Sequence, residues 1–256
     1  MSPGPKELYT KKYGQVLLRN PKVARFEVEA LKLPSGSRIL EIGPGPGTLT
    51  SILLEKGYNV EAIEPDHRFY EELLGKLSQH LDAGTLTLTK ASFLDLAGLK
   101  CDGIIGNVPY HISSEIIFHL GNFEFKKAVL MLQREFCNRL VSQVGSKDYS
   151  RLSVNAQLRF RIKVIAKVSR NSFSPVPEVD SSVIEITPRG EYEEDVIRRA
   201  DAVFRKLFSN RRKKLSSTLR NITGELGNKR VNELSPEKLL EIALQEITGQ
   251  SRSLLP

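Results

Sequence analysis

The sequence predicts an α/β chain built on a parallel sheet, followed by a small all-helical region. Three observations carry that reading. Short apolar runs recur with helical stretches between them, a glycine-rich stretch follows the first such run, and from residue 190 onward charged amphipathic patterns replace the β-branched runs. At 256 residues and 40% hydrophobic content the chain has room for one large α/β domain, expected over residues 1–189, and a helical one over 190–256. Its 38 Lys and Arg against 30 Asp and Glu give a net charge of +8, and the pI near 9.4 favours a polyanionic partner such as nucleic acid. Cys101 and Cys137 match no disulfide framework or metal spacing, which suits a reducing cytoplasm. His67, His80, His111 and His119 form no i, i+4 pair, so no metal site is expected. No apolar stretch approaches bilayer length and the start of the chain has no signal-peptide core, so the expectation is a soluble protein.

Taken in order, residues 1–13 are rich in Pro, Gly and Lys and read as a basic arm, with Lys6, Lys11 and Lys12 able to meet a phosphate backbone. A helix is expected from Pro21 to about Leu31, with Val23, Phe26, Val28 and Ala30 among its apolar positions. The Pro34-Ser35-Gly36 turn introduces a strand over residues 38–42. That strand runs into Glu41-Ile42-Gly43-Pro44-Gly45-Pro46-Gly47-Thr48, where alternate glycines let the backbone turn sharply and approach a ligand. The next strand, residues 59–63, ends in Glu64, about twenty residues past the first glycine, where an acid in a Rossmann-like half can hold two ribose hydroxyls. Strand, glycine loop, helix, strand and acid together point to an adenosine-containing cofactor. Dinucleotides need backbone N–H groups aimed at a pyrophosphate, and Pro44 and Pro46 remove two of them. A cofactor without phosphate suits the loop better, and S-adenosylmethionine is one.

A helix over residues 68–81 leads to a strand over 85–89 whose threonines and leucines alternate. Ser92 follows, where it reaches an adenine edge or serves as a turn or cap residue; Asp95 reads as a cap. The apolar run 103–106 is a buried strand, and it ends in Asn107-Val108-Pro109-Tyr110. The Asn107 carbonyl can accept a hydrogen bond from an amino group, Pro109 fixes the local backbone, and Tyr110 offers a face for stacking. A planar heterocycle with an exocyclic amine fits that set, although Asn-x-Pro taken alone is ordinary turn chemistry. Further on, a helix is expected over 113–120, capped by Ser113 or Ser114, then a strand over 127–132 and a helix over 133–144. Residues 145–151 form a polar loop placed at the rim of the cleft. Strands over 161–168 and 182–187 flank a loop in which Pro175 and Pro177 stiffen the chain around Phe173, which either clamps a base opposite Tyr110 or belongs to the core. In the helical region Phe204, Leu207 and Phe208 form an apolar stripe beside Arg211-Arg212-Lys213-Lys214 and Arg220, a pattern that serves an RNA backbone or a solvated helix face. Ser235-Pro236 starts the next helix, with Ser235 as its N-cap.

Through nearly the whole chain these stretches resemble the ribosomal RNA adenine dimethyltransferases of the KsgA type. The resemblance rests on Gly14-Gln15 followed by leucines, residues 41–50, Glu64, residues 107–110, Gly145-Ser146-Lys147-Asp148-Tyr149-Ser150-Arg151-Leu152, residues 173–181, and residues 208–215. It implies a Rossmann-like S-adenosylmethionine-dependent methyltransferase domain with a small all-helical C-terminal domain. It also implies transfer of methyl groups to N6 of two adjacent adenosines of small-subunit ribosomal RNA, with the immature small subunit as partner, the protein acting as a monomer. The cofactor-binding residues it implies are Gln15, Leu17, Glu41, Gly43, Gly45, Gly47, Glu64, Ser92 and Asn107; Asn107, Val108, Pro109, Tyr110 and Phe173 carry the chemistry. Two positions depart from the family pattern. Val16 stands where Asn is usual, and Ser92 where Asp is common, giving the adenine amine a neutral partner. The Erm-type methyltransferases share the chemistry but act on large-subunit RNA, and the longer helical C-terminal region here argues against them.

Overall fold

A computed structural model describes residues 16–219 and 222–249, which fall into two compact units: residues up to 137 together with 163–188, and residues 138–162 together with those from 189 on. The basic arm, Gln15 and Arg220 lie outside the described residues.

The first unit holds the sheet. Its strands are β1 (Leu17–Leu18), β2 (Arg38–Ile42), β3 (Asn59–Ile63), β4 (Leu86–Thr89), β5 (Gly103–Asn107), β6 (Lys127–Gln133), β7 (Phe160–Val168), β8 (Phe173–Ser174) and β9 (Ser181–Pro188). Seven of them form one sheet in the order β4-β3-β2-β5-β6-β9-β7, while β1 and β8 make a separate antiparallel pair. The strands from β4 to β6 run parallel and β9 pairs antiparallel with β6. The β2-β3-β4 run grows in one direction and β5-β6 in the other, so the crossover reverses between β2 and β5, the place where open α/β sheets leave a crevice for ligands.

The helices are α1 (Pro21–Leu31), α2 (Thr48–Glu55), α3 (His67–Lys76), α4 (Ser78–Asp82), α5 (Ser113–His119), α6 (Arg134–Leu140), α7 (Arg151–Arg159), α8 (Glu194–Ser209), α9 (Gly224–Asn228) and α10 (Pro236–Thr248). Local chemistry sets several boundaries. Asn20 caps α1 by accepting from the Lys22 amide, and Pro21 occupies its first turn, where a missing N–H costs nothing. Asp66 caps α3 in the same way through the Arg68 amide. The single helix expected over 68–81 is broken at Leu77, and Ser113, expected as a cap, instead donates from its hydroxyl to the Tyr110 carbonyl. Of the apolar positions named for α1, Val28 and Ala30 are buried, whereas Phe26 is 39% exposed; Ala24, Glu27 and Leu31 complete the inward stripe. The helix thus carries a glutamate in its buried stripe.

β5 is buried on both faces, with Ile104 and Ile105 fully covered, as befits a central parallel strand. Its glycines are packing requirements. A Cβ at Gly106 would stand 2.6 Å from the Ile42 carbonyl oxygen, and one at Gly103 would press on Leu33 and Ile39.

In the second unit Ile197, Ala200, Val203, Phe204 and Leu207 of α8 bury a stripe against Leu239, Leu240 and Ala243 of α10. Ser235 caps α10 through the Lys238 amide. Residues 138–162, expected within the first domain, cluster here for a physical reason. Tyr149, Val154 and Leu158 enter this core, the Tyr149 hydroxyl donates to the Leu234 carbonyl (2.9 Å), and two bidentate pairs tie α7 to α8. Arg151 holds Asp201 with two bonds of 2.6 Å, and Arg159 holds Glu194 with two of 2.7 Å. The segment read as a polar rim loop therefore has a structural use, with Tyr149 fully buried.

Substituting Gly106→Ala is expected to destabilise the first unit by about 1–3 kcal/mol, because neither strand backbone can yield; urea denaturation followed by circular dichroism measures it.

Candidate active site

Strand register alone brings three of the expected residues together. Ile42 pairs with Ile63 and with Gly106, so Gly43, Glu64 and Asn107 follow in one row across the carboxyl ends of β2, β3 and β5. All three line a cavity at the crossover reversal, together with Gly45, Pro46, Phe69, Val108, Pro109, Tyr110 and Phe173. Leu17 of β1 lines the same cavity, held there because β1 pairs with β8, where Leu18 faces Phe173.

The glycine loop adopts left-handed backbone at Gly43, Gly45 and Gly47, with φ of 64°, 54° and 82°, conformations that cost side-chain-bearing residues about 1–2 kcal/mol each. This path aims each remaining amide at an internal acceptor. Gly43 N–H donates to the Ile63 carbonyl, Gly45 N–H to Glu64 Oε2 at 2.9 Å, and Gly47 N–H to the Pro44 carbonyl. Pro44 and Pro46 have no N–H to give. Residues 43–47 thus present no uncommitted amide to a pyrophosphate.

Glu64 Oε1 accepts from the Asp66 amide at 2.8 Å, so each carboxylate oxygen is held by one backbone donor and keeps a further lone pair. Burial raises its pKa, opposed by the bonds from Asp66 and Gly45. A carboxylate fixed this way beside an apolar wall suits ribose hydroxyls, and the donor set fits S-adenosylmethionine, whose adenosine carries no phosphate.

Burial and hydrogen bonds anchor the tetrapeptide. Val108 is buried and its N–H donates to the Met131 carbonyl, while the Tyr110 hydroxyl lies 2.9 Å from Ser181 Oγ. Tyr110 and Phe173 both line the cavity, and Phe173, at 5% exposure, is a core residue as well as a wall.

Three expected cofactor residues are not among those that line the cavity. Ser92 does not line the cavity; its Oγ accepts from the Leu94 amide and caps a short 3₁₀ turn, which was the other reading of that residue. Gly47 is withdrawn from the cavity, where a Cβ would strike Leu73 at 2.6 Å, so it serves loop geometry. Glu41 lies beneath, 1% exposed, and neither carboxyl oxygen completes a hydrogen bond. Burial pushes its pKa up to about 8, opposed by the Thr50 side chain and raised further by Glu64.

Glu27, which the motifs do not single out, is 0% exposed and near Asn107 and Glu41. Its spacing to Ala24, Val28 and Leu31 is the signal in the sequence that places it on the buried stripe.

Two further features bear on partners. Among the described residues no group of three His, Cys, Asp or Glu is placed to hold a metal, and no helix is long and apolar enough to cross a membrane. In the second unit Arg212 and Lys213 are exposed, while Arg211 donates to the Ser146 and Lys147 carbonyls and Lys214 to Asn228, so half of the basic run is spent on internal contacts.

A crossover-reversal cavity, a phosphate-free glycine loop and a ribose-type acid define a Rossmann-like S-adenosylmethionine-dependent methyltransferase. The chain belongs to the ribosomal RNA adenine dimethylase family, whose sequence model matches residues 7–243. Members of this family act on ribosomal RNA. A probable small-subunit ribosomal RNA methyltransferase A of Thermococcus gammatolerans is 33% identical over 245 residues, covering 90% of this chain and 86% of that protein. A mitochondrial small-subunit ribosomal RNA methyltransferase of Arabidopsis thaliana is 38% identical over 212 residues, but those span 82% of this chain and 56% of the relative. A crystal structure of a dimethyladenosine transferase from Plasmodium falciparum superposes with a TM-score of 0.79 at 27% identity, covering 93% of this chain and 100% of that one.

Glu41 gives a test with a definite sign. Its pKa of about 8 in the folded chain lies above the unfolded value near 4.5, so its ionisation costs no stability at acid pH. The penalty grows as pH rises between those values and is complete above about 8. Glu41→Gln is therefore expected to gain stability relative to the parent by a few kcal/mol between pH 5 and 8, read as diverging thermal midpoints across that range.

Proposed function

We propose that this protein uses S-adenosylmethionine to dimethylate N6 of two adjacent adenosines in the 3′-terminal hairpin loop of small-subunit ribosomal RNA, during maturation of that subunit. The observation that carries the reading is the row of Gly43, Glu64 and Asn107, which puts a side-chain amide beside a cofactor-type acid in one cavity. The relatives' names support the RNA and the subunit.

The sulfonium cofactor supplies an electrophilic methyl group. Glu64 holds the ribose, and the loop from Gly43 with the apolar residues Leu17 and Phe69 lines its bed. Adenine N6 is a weak nucleophile because its lone pair is delocalised into the ring. Hydrogen bonds from the amine to the Asn107 side-chain oxygen and to the Val108 carbonyl favour a pyramidal nitrogen whose lone pair faces the methyl group. Orientation supplies most of the rate. Pro109 fixes the backbone that aims these acceptors, and Tyr110 and Phe173 clamp the extruded base, whose unstacking costs a few kcal/mol. The amine proton becomes acidic only after transfer, so no general base acts before attack. The exposed Arg212 and Lys213 meet the RNA backbone. The protein acts as a cytoplasmic monomer on the immature subunit.

Incubation with labelled cofactor and immature small subunits, followed by nucleoside analysis, is expected to yield dimethyladenosine; label only in large-subunit RNA, or none, overturns the proposal. Asn107→Ala is expected to abolish transfer while cofactor affinity stays within about twofold, as measured by equilibrium dialysis. Glu64→Gln is expected to weaken cofactor binding about tenfold or more at neutral pH, the scale of a charge-assisted hydrogen bond. Parent affinity is expected to fall on acidification, at a higher pH than an ordinary glutamate dictates, because the Glu64 pKa is raised; the variant is expected to lack that dependence.

A further inference from the structure

Beneath the cavity lie polar atoms that the proposed chemistry does not use. Both carboxyl oxygens of Glu27 and Oδ1 of Asn107 are buried without a hydrogen-bond partner, and Glu27 is 0% exposed. The helix that carries Glu27 packs on β5, the strand that ends in Asn107. Leaving three oxygens unpaired costs roughly 1–3 kcal/mol for each group, and a leucine in the same stripe would incur none of it. The two side chains are close enough to interact: the Asn107 side chain draws the Glu27 pKa down, against burial, which raises it well above the usual range, and against Glu41, which adds to the rise. Asn107 Oδ1 is buried and unpaired, and a half-turn of the amide about its terminal bond exchanges it for Nδ2. That half-turn gives Glu27 a donor.

We propose that Glu27 is a positioning residue for Asn107: its buried carboxyl accepts a hydrogen bond from Asn107 Nδ2 and so holds the amide with its oxygen toward the cavity. A primary amide has two edges of similar shape and opposite polarity. With the NH2 edge outward, Asn107 would offer donors to an amine that itself needs acceptors. A carboxyl that takes the NH2 inward on an oxygen lone pair leaves the productive edge toward the cavity. Burial of Glu27 is then a local cost in stability accepted for a fixed orientation. The inference rests on the reading of Asn107 as the acceptor of the substrate amine.

The test pairs Glu27→Leu, which removes the hydrogen bond and keeps an apolar side chain of similar size, with Glu27→Gln, which keeps an acceptor. In Glu27→Leu, kcat is expected to fall about tenfold or more, the loss of one orienting hydrogen bond, while cofactor Kd and RNA KM stay within about twofold. Its thermal midpoint is expected to rise, because the burial cost of a carboxyl that keeps one oxygen unpaired exceeds that of the single hydrogen bond lost. Glu27→Gln is expected to retain kcat within about threefold, as its carbonyl still takes the amide proton. Unchanged or faster turnover in Glu27→Leu overturns the inference, since it would mean that the carboxyl had held the amide oxygen inward or not at all. A lowered midpoint, or equal losses of kcat in the two variants, overturns it too, marking Glu27 as structural. Asn107→Ala run alongside separates the two levels. If that variant still methylates, the reading of Asn107 fails; if it is inactive while Glu27→Leu is normal, only the role of Glu27 fails.

Discussion

Two backbone amides, from Gly45 and Asp66, converge on the carboxylate of Glu64, and this small knot ties together the ends of β2 and β3. The Gly45 amide reaches it only because the loop runs through left-handed backbone at alternate residues, a path that needs glycine. The Asp66 amide reaches it because the chain turns at once into α3, with Asp66 itself as the cap. The acid therefore shapes the bed in which it is expected to hold a ribose. Register carries the same precision across to β5, since Ile42 pairs with Gly106 and leaves Asn107 level with the loop. Gly106 can occupy that place because it brings no Cβ against the Ile42 carbonyl.

Much of this was legible in the amino-acid sequence. Gly43, Gly45, Pro44 and Pro46 together announced both the turn and its indifference to phosphate, and Glu64 stood at the distance a β-α-β half demands. Asn107 and Tyr110 line one cavity with that loop, and the end of the strand that carries them there is legible locally. Other features depend on what lies across space. Glu41 and Gly47 belong to a glycine motif, yet whether a residue of a motif faces the cavity or supports it from below is decided by packing. Ser92 had two readings of equal local merit, and the Leu94 amide settled its present use. Residues 145–152 looked polar and hence peripheral, but Tyr149 is fully buried and Arg151 is paired. The polarity of such a segment tells nothing of its partners.

The floor of the cavity departs from ordinary core construction. Glu27 and Glu41 both lie buried without completed hydrogen bonds, and both have carboxyls raised far above their usual range. A core selected for stability alone would carry aliphatic residues there. Burial disfavours the charged form of both acids, so the sheet stays apolar at its centre and polar only where β2 and β5 end. The stabilising work is done elsewhere, by Ile104 and Ile105 within the sheet and, in the helical unit, by Phe204 and its neighbours.

The exhaustion of the loop's amides has a consequence for life among other nucleotides. ATP and NADH share the adenosine that this cavity is shaped to receive, and cells hold both in abundance. A loop with spare N–H groups would welcome their phosphates and would be crowded by them. Between Gly43 and Gly47 two residues lack the proton and three have committed it internally. An incoming phosphate would lose its hydration and meet no donor there. Residues 43–47 thus discriminate among adenosine derivatives by what they decline to offer, and favour a ligand whose charge is positive and whose tail is free of phosphorus.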